Sequence, residues 1–259
     1  ILVPNPRILE WDIETSLQTV AVFSLQNQDW IKPDNIIQER YVICASWKWL
    51  GEDRIYSVSV LDSPNYAKDP HNDRHVIQVL HKVLSTADAL VHHNGNAFDQ
   101  KYVETRILFH DFTPLPPIPH IDTLKTAKTR FMLNSNSLNY LGTFLKVGNK
   151  INTENQMWLD ILKGGPAAVK AINLMVKYNR QDVVLLERVF LKLRPYMQDH
   201  ISRQLFGGSG QCPRCGSNHT QSRGTHHALT QRYNRWQCQS CGGWYRTKKA
   251  IGGTTTRIL

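Results

Sequence analysis

The sequence lacks any run of 18 consecutive apolar residues, so no segment of it has the composition of a helix that crosses a membrane. The opening stretch, ILVPNPRILEW, lacks the basic start and long apolar core of a secretory signal peptide. Cysteine is also scarce, at five in 259 residues, and a dense disulfide scaffold is therefore excluded. We expect a protein that is not secreted, has no membrane partner and resides in the cytoplasm.

Acidic residues are absent from the last quarter of the chain. The whole chain has 31 Lys and Arg against 21 Asp and Glu, a net charge of +10. Residues 200–259 contain no acid and nine bases, so the rest of the chain is nearly neutral. The nine are Arg203, Arg214, Arg223, Arg232, Arg235, Arg246, Lys248, Lys249 and Arg257. A segment of this kind is typical of elements that bind a polyanion, most often nucleic acid.

Hydrophobic periodicity indicates a mixed α/β fold. Strands are predicted in RILEWDIE, TVAVFSL, RYVICASWKWL and RIYSVSVL, the first three as consecutive strands of one sheet, and in ALVHHN at 89–94. Helical spacing is predicted over 71–87, 98–110, 137–146 and 166–193. This order favours a mixed sheet flanked by helices. The composition changes abruptly at 207-GGSG-210, where we place a boundary between a body, residues 1–206, and a C-terminal segment, residues 207–259.

Two carboxylates lie side by side on the first predicted strand. Side chains in a strand alternate between faces, so Asp12 and Glu14 of WDIET point the same way. Like charges this close repel, and their removal from water is costly. We expect a cation between them. Glu10 has the same facing but lies deeper, and we do not count it as a ligand.

Two later segments add further candidate residues. Asp99 follows a strand and the turn 94-NGN-96, in the first turn of a predicted helix. Tyr178 and Asp182 are four residues apart in YNRQD and therefore share a helical face. Taken singly, these residues have ordinary alternatives: Asp99 as an acid at a helix N-terminus, Tyr178 as a packing residue and Asp182 as an ion-pair partner. Asp122, near another strand end, is expected to support the structure or a ligand rather than to bind metal itself.

The segments DIET, HNGNAFD and YNRQD, in that order, resemble the DEDD superfamily of 3′-5′ exonucleases, in the subgroup whose fifth residue is tyrosine. The stretch DTLKTAK…SLNYL is similar to family-B-polymerase proofreading domains and to stand-alone RNase H-like exonucleases. The resemblance covers about residues 7–195. It implies an RNase H-like domain built on a mixed five-stranded sheet.

The resemblance also implies roles for the five residues. Asp12, Glu14, Asp99 and Asp182 would bind two Mg²⁺ or Mn²⁺ ions, and Glu14 would also touch the 3′ end of the substrate. Tyr178 would orient the nucleophilic water. Two such ions can stabilise both the attacking and the leaving oxygen of a phosphodiester, and they prefer oxygen ligands.

Four cysteines in the C-terminal segment have the spacing of a metal site. The knuckles 212-CPRCG-216 and 238-CQSCG-242 place Cys212, Cys215, Cys238 and Cys241 as ligands of one structural Zn²⁺, with 22 residues between the two pairs. The alternative, a pair of disulfides, requires an oxidising compartment. The stretch 233-YNRWQCQSCGGWYRTKK-249 is similar to zinc ribbons of transposase-like and phage proteins that bind DNA.

Aromatic and basic residues alternate in the same stretch, a pattern that suits stacking on unpaired bases and contact with phosphates. We expect Trp236 and Tyr245 to belong to the small core of the ribbon. The predicted contacts to nucleic acid are Asn94 in the body and Arg232, Arg235, Trp244, Arg246, Lys248 and Lys249 in the ribbon.

Together these features predict a metal-dependent 3′-5′ exonuclease acting on single-stranded DNA or on 3′ ends, with RNA as the alternative substrate. The ribbon would hold the polymer while the body digests its end, and a replication or recombination protein is a further candidate partner. Three alternatives stay open at this point: an exoribonuclease of the same superfamily, a non-catalytic zinc-ribbon DNA-binding protein, and a structure-selective endonuclease.

Overall fold

A computed structural model describes residues 5–24, 26, 30–150 and 155–256. In chain order the body contains β1 Ile8–Thr15, β2 Thr19–Val20, β3 Ile36–Gln38, β4 Val42–Trp49, β5 Ile55–Ser59, α1 Arg74–Leu84, β6 Ala89–His92, α2 Asp99–Phe109, β7 His120–Asp122, α3 Thr123–Arg130, α4 Leu138–Phe144, α5 Asn155–Lys163, α6 Gly165–Leu193 and α7 Gln204–Gly207, the last of which ends at the first residue of the C-terminal segment. The C-terminal segment adds β8 Thr220–His227, β9 Gln231–Cys238, β10 Trp244–Arg246 and β11 Gly252–Gly253. None of the helices within these described ranges combines the length and hydrophobicity that a membrane crossing requires.

The body is built on a five-stranded sheet in the order β5-β4-β1-β6-β7. Strand β1 pairs antiparallel with β4 and parallel with β6, and β6 pairs parallel with β7, so the sheet is mixed. Helices pack against it in two apolar clusters. Helices α1, α2, α5 and the N-terminal half of α6 contribute to one, and α3, α4 and the C-terminal half of α6 contribute to the other. The predicted fold class, a mixed five-stranded RNase H-like sheet flanked by helices, is confirmed.

Strand β1 lies at the centre of this sheet, with β4 and β6 paired to its two edges, and its two faces carry different residues. Leu9, Trp11 and Ile13 are buried in the cluster that contains α1 and α2. The alternate positions, including Asp12 and Glu14, face α6 on the other side. Full burial of an aromatic side chain such as Trp11 stabilises the fold by roughly 2–3 kcal/mol, and this packing fixes the orientation of the acids between the apolar residues.

The prediction that TVAVFSL forms the second strand of this sheet is wrong. Only Thr19–Val20 is a strand, and it pairs with Ile36–Gln38 in a separate two-stranded sheet. Phe23 is fully exposed, at 110% of its reference area. The physical reason lies in the pairing of β1: β4 and β6 already occupy both of its edges, so no edge is left for an intervening strand. The last residue of TVAVFSL lies outside the described residues.

The C-terminal segment forms its own small sheet around β9, which pairs antiparallel with β8, β10 and β11. Its aromatic core differs from the sequence-based expectation: Tyr233 is buried at 7% exposure, whereas Trp236 and Tyr245 are only half-buried. Several hydrogen bonds connect this segment to the chain before it. Among them, the Arg203 N–H donates to the Pro213 carbonyl at 2.7 Å, and Arg214 Nε donates to the Met197 carbonyl at 3.1 Å.

Candidate active site and metal centre

Three carboxylates from β1 and α6 converge on one point. The oxygen atoms that Asp12, Glu14 and Asp182 can offer lie within 4.8 Å of one another. We call these three residues the carboxylate cluster. Asp12 and Glu14 extend from the face of β1 that α6 covers, and Asp182 is 1% exposed on that helix. A strand and a helix that are far apart in sequence thus bring three negative charges into one site.

Asp99 lies beside this cluster but outside the three-residue group. It is the first residue of α2, and its Oδ1 accepts a hydrogen bond from the Ile13 N–H at 3.3 Å. Its charge nonetheless acts on Asp12. Burial is the largest cause of the raised pKa of Asp12, and repulsion from Asp99 is the second largest. Asp99 is therefore close enough to repel Asp12 of the cluster, while one of its oxygens is hydrogen-bonded to the backbone of β1.

The turn between β6 and α2 directs Asp99 toward β1. Asn94 adopts a positive φ of 69°, and a Cβ added to Gly95 would lie 2.4 Å from Cγ of His92, so the turn requires glycine there. The Asn94 N–H donates to Oδ1 of Asp122 at 2.9 Å. The same oxygen caps the N-terminus of α3 by accepting from the Leu124 N–H at 2.9 Å. Asp122 thus supports the structure of the turn.

Burial raises the pKa of every acid in the site, and repulsion among these acids adds to the effect at Asp12 and Glu14. Burial, followed by the charge of Asp182, raises the pKa of Glu14 to about 8, and burial raises that of Asp99 to about 6. Burial likewise raises the pKa of Asp12 well above its usual range and raises that of Asp182. Without a cation the site consequently retains protons that free carboxylates would lose, which is the electrostatic condition that a bound divalent ion relieves.

A lysine that sequence reasoning missed contacts the site. Lys150 Nζ donates to Asp182 Oδ2 and to the Tyr178 hydroxyl, the latter at 3.1 Å. Burial lowers the pKa of Lys150, but the charge of Asp182 outweighs that effect and the pKa is raised, so the ammonium stays charged. Lys150 therefore brings a positive charge to the Asp182 side of the carboxylate cluster, whereas the cation expected from the sequence was one between Asp12 and Glu14.

Tyr178 is half-buried next to Asp182, and burial raises the pKa of its hydroxyl to about 12. A hydroxyl with that pKa stays protonated at neutral pH. Tyr178 can therefore donate or accept a hydrogen bond, but it cannot serve as a base. This chemistry suits the orientation of a water molecule.

Asn179 is a second residue that sequence reasoning missed. It is 0% exposed, and its Nδ2 donates to Asp12 Oδ2 at 2.7 Å. Its own Oδ1 has no hydrogen-bond partner among the described residues. Asn179 and Asp182 are three apart on α6 and so lie on the same side of the helix. This three-residue spacing from Asp182 is the feature of the sequence that could have identified Asn179 as a residue of the site.

Glu10, the third acid on this face of β1, lies away from the cluster. It is 0% exposed, and burial raises its pKa well above the usual range. Its nearest charges are Glu187 and Lys48, which form an ion pair with each other. Glu10 is therefore a buried acid of the core and is not among the residues that can share an ion with Asp12.

The four cysteines of the C-terminal segment form a second group of convergent ligands. Their sulfur atoms lie within 4.8 Å of one another, with Cys212 Sγ 3.7 Å from Cys241 Sγ and Cys215 Sγ 3.6 Å from Cys238 Sγ. A tetrahedral ion with a metal–sulfur distance of about 2.3 Å requires sulfurs about 3.8 Å apart. The spacing therefore fits a four-thiolate zinc site.

The basic and aromatic residues predicted to contact nucleic acid lie at several surfaces. On one face of the C-terminal sheet, the guanidinium of Arg235 lies 5.3 Å from the ring centre of Trp244 and that of Arg246 lies 3.6 Å from that of Tyr233. Trp244 is 47% exposed. Four further residues of this set are exposed elsewhere: Arg232 on the opposite face of β9, Lys248 and Lys249 after β10, and Asn94 in the turn before Asp99.

Comparisons with known proteins agree with this architecture. Residues 51–194, more than half of the chain, match the family model of the RNase_H superfamily. The matched segment includes Asp99, Tyr178 and Asp182 but not β1, so the structure adds Asp12 and Glu14 to it. No significantly similar sequence is found among curated proteins.

Solved structures with a similar fold include the family B DNA polymerase from the hyperthermophilic archaeon Pyrobaculum calidifontis. The TM-score is 0.50 and the sequence identity is 14%, so this likeness concerns the fold alone. The alignment covers 74% of this chain and 26% of the polymerase chain. The chain thus corresponds to about a quarter of the length of that polymerase.

Proposed function

Because the chain belongs to the RNase_H superfamily, we propose that it is a metal-dependent nuclease that removes nucleotides from the 3′ end of DNA. The observation that carries this proposal is the carboxylate cluster of Asp12, Glu14 and Asp182 with Asp99 beside it. Crowding of buried negative charge is costly in a protein and is typical of a site that binds divalent cations. The 3′-5′ direction and the role of tyrosine follow the resemblance to DEDD exonucleases. The choice of DNA follows the likeness to family-B-polymerase proofreading domains and to zinc ribbons of proteins that bind DNA.

The donor set fits Mg²⁺ or Mn²⁺. The ligands are carboxylate oxygens, which these hard cations prefer, and Asp182 Oδ1 is buried with no hydrogen-bond partner among the described residues. Asp12, Glu14, Asp99 and Asp182 would hold two such ions. When bound, these ions would activate water and stabilise the charge that develops on the phosphate and on the leaving oxygen.

The side chains around the acids have complementary tasks. Asn179 fixes one oxygen of Asp12 and leaves the other free to bind. Tyr178, protonated at neutral pH, orients a water molecule toward the scissile phosphate. Lys150 neutralises Asp182 while no ion is bound. Its ammonium can then move to a phosphate oxygen of the substrate, because its side chain is 28% exposed.

The C-terminal segment is proposed to be a zinc ribbon that holds the polymer. Cys212, Cys215, Cys238 and Cys241 would hold one structural Zn²⁺. Four thiolates with one Zn²⁺ carry a net charge of −2, which leaves an acid-free segment strongly basic. Such a surface attracts phosphates and brings a strand to the body.

Digestion of end-labelled substrates tests the proposal. A 5′-labelled single strand incubated with Mn²⁺ should yield a ladder shortened from its 3′ end, and chelator should prevent it. Asp12→Asn and Asp182→Asn should each slow the reaction by roughly a thousandfold, about 4 kcal/mol of transition-state stabilisation. Asp34→Asn, at an exposed acid outside the carboxylate cluster, is the matched control and should be neutral.

Duplex DNA and RNA of the same sequence complete the experiment. Faster digestion of RNA would replace the DNA assignment by an exoribonuclease, and internal cuts would indicate an endonuclease. Undiminished digestion by both cluster variants would refute the assignment of these acids. A complete lack of turnover with every substrate and metal would favour a non-catalytic nucleic-acid-binding protein.

A further inference from the structure

A cavity of about 410 Å³ opens between the C-terminal sheet and the segment that leads into it. Trp236 and Tyr245 line one side, Lys248 and Lys249 the rim, and Gln204 with the following glycine-rich turn the other side. Pockets that bind small organic groups have volumes of about 300–1,000 Å³. This cavity lies on the opposite side of β9 from the exposed Trp244, because Trp236 and Gln237, the partner of Trp244, are adjacent in the strand.

The two aromatic residues are placed side by side by the register of the sheet. Tyr245 pairs directly with Trp236 across β10 and β9, and directly paired residues extend from the same face. Both side chains are only half-buried. In a sheet this small, large rings would be expected to fill the core, but Tyr233 does so on the other face, covered by Arg246. Trp236 and Tyr245 therefore leave ring surface available to a ligand.

The rim of the cavity is positively charged and uncompensated. Lys248 and Lys249 are exposed, and residues 200–259 contain no acid. No ion pair of the described residues involves a base of this stretch. Aromatic rings beneath unpaired cations suit a flat ring that carries a phosphate.

The walls of the cavity are fixed by hydrogen bonds of their own. The Thr247 N–H donates to the Asn234 carbonyl at 3.0 Å, and Thr247 Oγ1 donates to the Lys249 carbonyl at 2.9 Å. On the other side, Gln204 Nε2 donates to the Gln211 carbonyl at 2.5 Å. A site whose walls are ordered before binding loses little conformational entropy when a ligand enters.

We propose that this cavity binds one unpaired nucleotide of a nucleic-acid strand, with the base against Trp236 and Tyr245 and a phosphate on Lys248 or Lys249. The inference rests on the proposed function for its class of ligand and goes beyond it in naming a subsite that selects single strands. A base inside a duplex is paired and stacked and cannot enter. The cavity therefore favours strands with free bases, whereas the arginines on the opposite face contact phosphates of either form.

Fluorescence anisotropy of labelled oligonucleotides tests this subsite, with the full chain carrying Asp12→Asn so that the strand stays intact. Trp236→Leu should weaken binding of an oligo(dT) strand roughly ten- to a hundredfold and leave binding of a blunt duplex within twofold. Trp236→Phe should retain most of the affinity. Trp244→Leu, a tryptophan on the opposite face, is the matched comparison and should have the smaller effect on the single strand.

A strand of abasic sugar-phosphate units separates base binding from phosphate binding. The protein should bind it about as weakly as the Trp236→Leu variant binds oligo(dT), and Trp236→Leu should weaken its binding no further. Unchanged oligo(dT) affinity in Trp236→Leu, or an equal loss for duplex and single strand, would overturn the subsite. A protein that binds no single strand would overturn it as well.

Folding of the variants is checked by their zinc content, which should stay at one ion per chain. If Trp236→Leu loses its zinc, the paired change Lys248→Gln and Lys249→Gln at exposed positions takes its place. It should lower single-strand affinity and reduce the slope of log affinity against log salt by about 1–2, and an unchanged slope would refute the rim contact. If the variants change single-strand binding as expected but the protein has no nuclease activity, the proposed catalysis is rejected and the subsite is retained. If the protein is a nuclease but the variants bind single strands as the parent does, the subsite is rejected and the proposed catalysis is retained.

Discussion

The body and the C-terminal segment differ in how their charged residues are distributed. The body is nearly neutral overall but concentrates buried acids at one point of its central strand, whereas the C-terminal segment has no acid and spreads its bases over a small sheet. The body has a large apolar core that is independent of any ion. The C-terminal sheet contributes few buried side chains: Cys212, Tyr233 and Cys238. An ion would thus serve chemistry in the first region and folding in the second.

The largest expected effect, and the strongest test of this difference between the two regions, comes from the removal of a zinc ligand. Cys238→Ser should unfold the C-terminal sheet, because a structural zinc site supplies on the order of 10 kcal/mol to a domain of this size. The thermal transition of the body should persist, since its core contains none of the four cysteines of the C-terminal segment. Limited proteolysis and zinc content measure the first effect and far-ultraviolet circular dichroism the second.

Ser240→Ala, between two ligands of the same knuckle, is the control for that experiment and should keep its zinc. If Cys238→Ser leaves the C-terminal sheet resistant to protease, the segment folds without the ion and the contrast with the body fails. If the body melts together with the sheet, the two regions are a single cooperative unit.

A smaller effect is expected when the support of the carboxylate cluster is changed without touching its ligands. Asn179→Ala removes the hydrogen bond to Asp12 Oδ2, so this carboxylate should rotate away from its binding geometry. We expect kcat to fall roughly ten- to a hundredfold, as for other residues that orient a metal ligand. The concentration of Mn²⁺ needed for half-maximal rate should rise. Asn179→Asp should not restore the rate, because a carboxylate cannot donate this hydrogen bond.

Asn173→Ala is the matched control, because Asn173 is exposed on the same helix and donates only to the Val169 carbonyl. A loss that is equal in the two variants would point to helix stability rather than to the position of Asp12. Unchanged metal dependence in Asn179→Ala would refute the positioning role.

The contrast between these residues also shows what the sequence could predict. Alternation along β1 predicted that Asp12 and Glu14 share a face of the strand, and a spacing of four predicted that Tyr178 and Asp182 share a face of the helix. Both were predictable because they depend on local backbone geometry alone. Local patterns likewise predicted a mixed sheet flanked by helices, whereas its five strands were implied by the resemblance to RNase H-like exonucleases. The misassigned TVAVFSL segment has β-forming residues, but whether a strand joins a sheet depends on which edges are already occupied, and that is a non-local property.

The position of Lys150 in the site is likewise a non-local property that local sequence patterns do not predict. It lies in a stretch without helical or strand periodicity, and only the packing of that stretch against α6 brings its ammonium to Asp182. Asn179 was accessible in principle, since it is three residues from Asp182. Its partner is 167 positions away in the chain, however, and that contact depends on how α6 crosses β1.

The smallest of the expected effects concerns pH, and it sharpens the comparison because only the body should show it. Burial raises the pKa of Glu14 to about 8, so this carboxyl holds a proton in the folded, metal-free protein that it loses in the unfolded chain between pH 5 and pH 8. The contribution of Glu14 to stability therefore falls as the pH rises through this window, while burial lowers the pKa of His92, His93 and His200 to about 4, which gives the opposite slope below about pH 6.5. We expect the unfolding free energy of the wild type to fall by on the order of 1–2 kcal/mol relative to that of Glu14→Gln between pH 5 and pH 8, measured by urea denaturation without divalent ions.

Two changes should abolish this slope by different routes. Glutamine cannot ionise, so the unfolding free energy of Glu14→Gln should lack the loss that Glu14 causes between pH 5 and pH 8. Mn²⁺ binds the ionised acids, so it should stabilise the protein more at pH 8 than at pH 5. A metal-free wild type that loses no stability relative to Glu14→Gln as the pH rises would show that the charge of Lys150 already outweighs the repulsion among the acids, and the carboxylate cluster would then need no further cation to be tolerated.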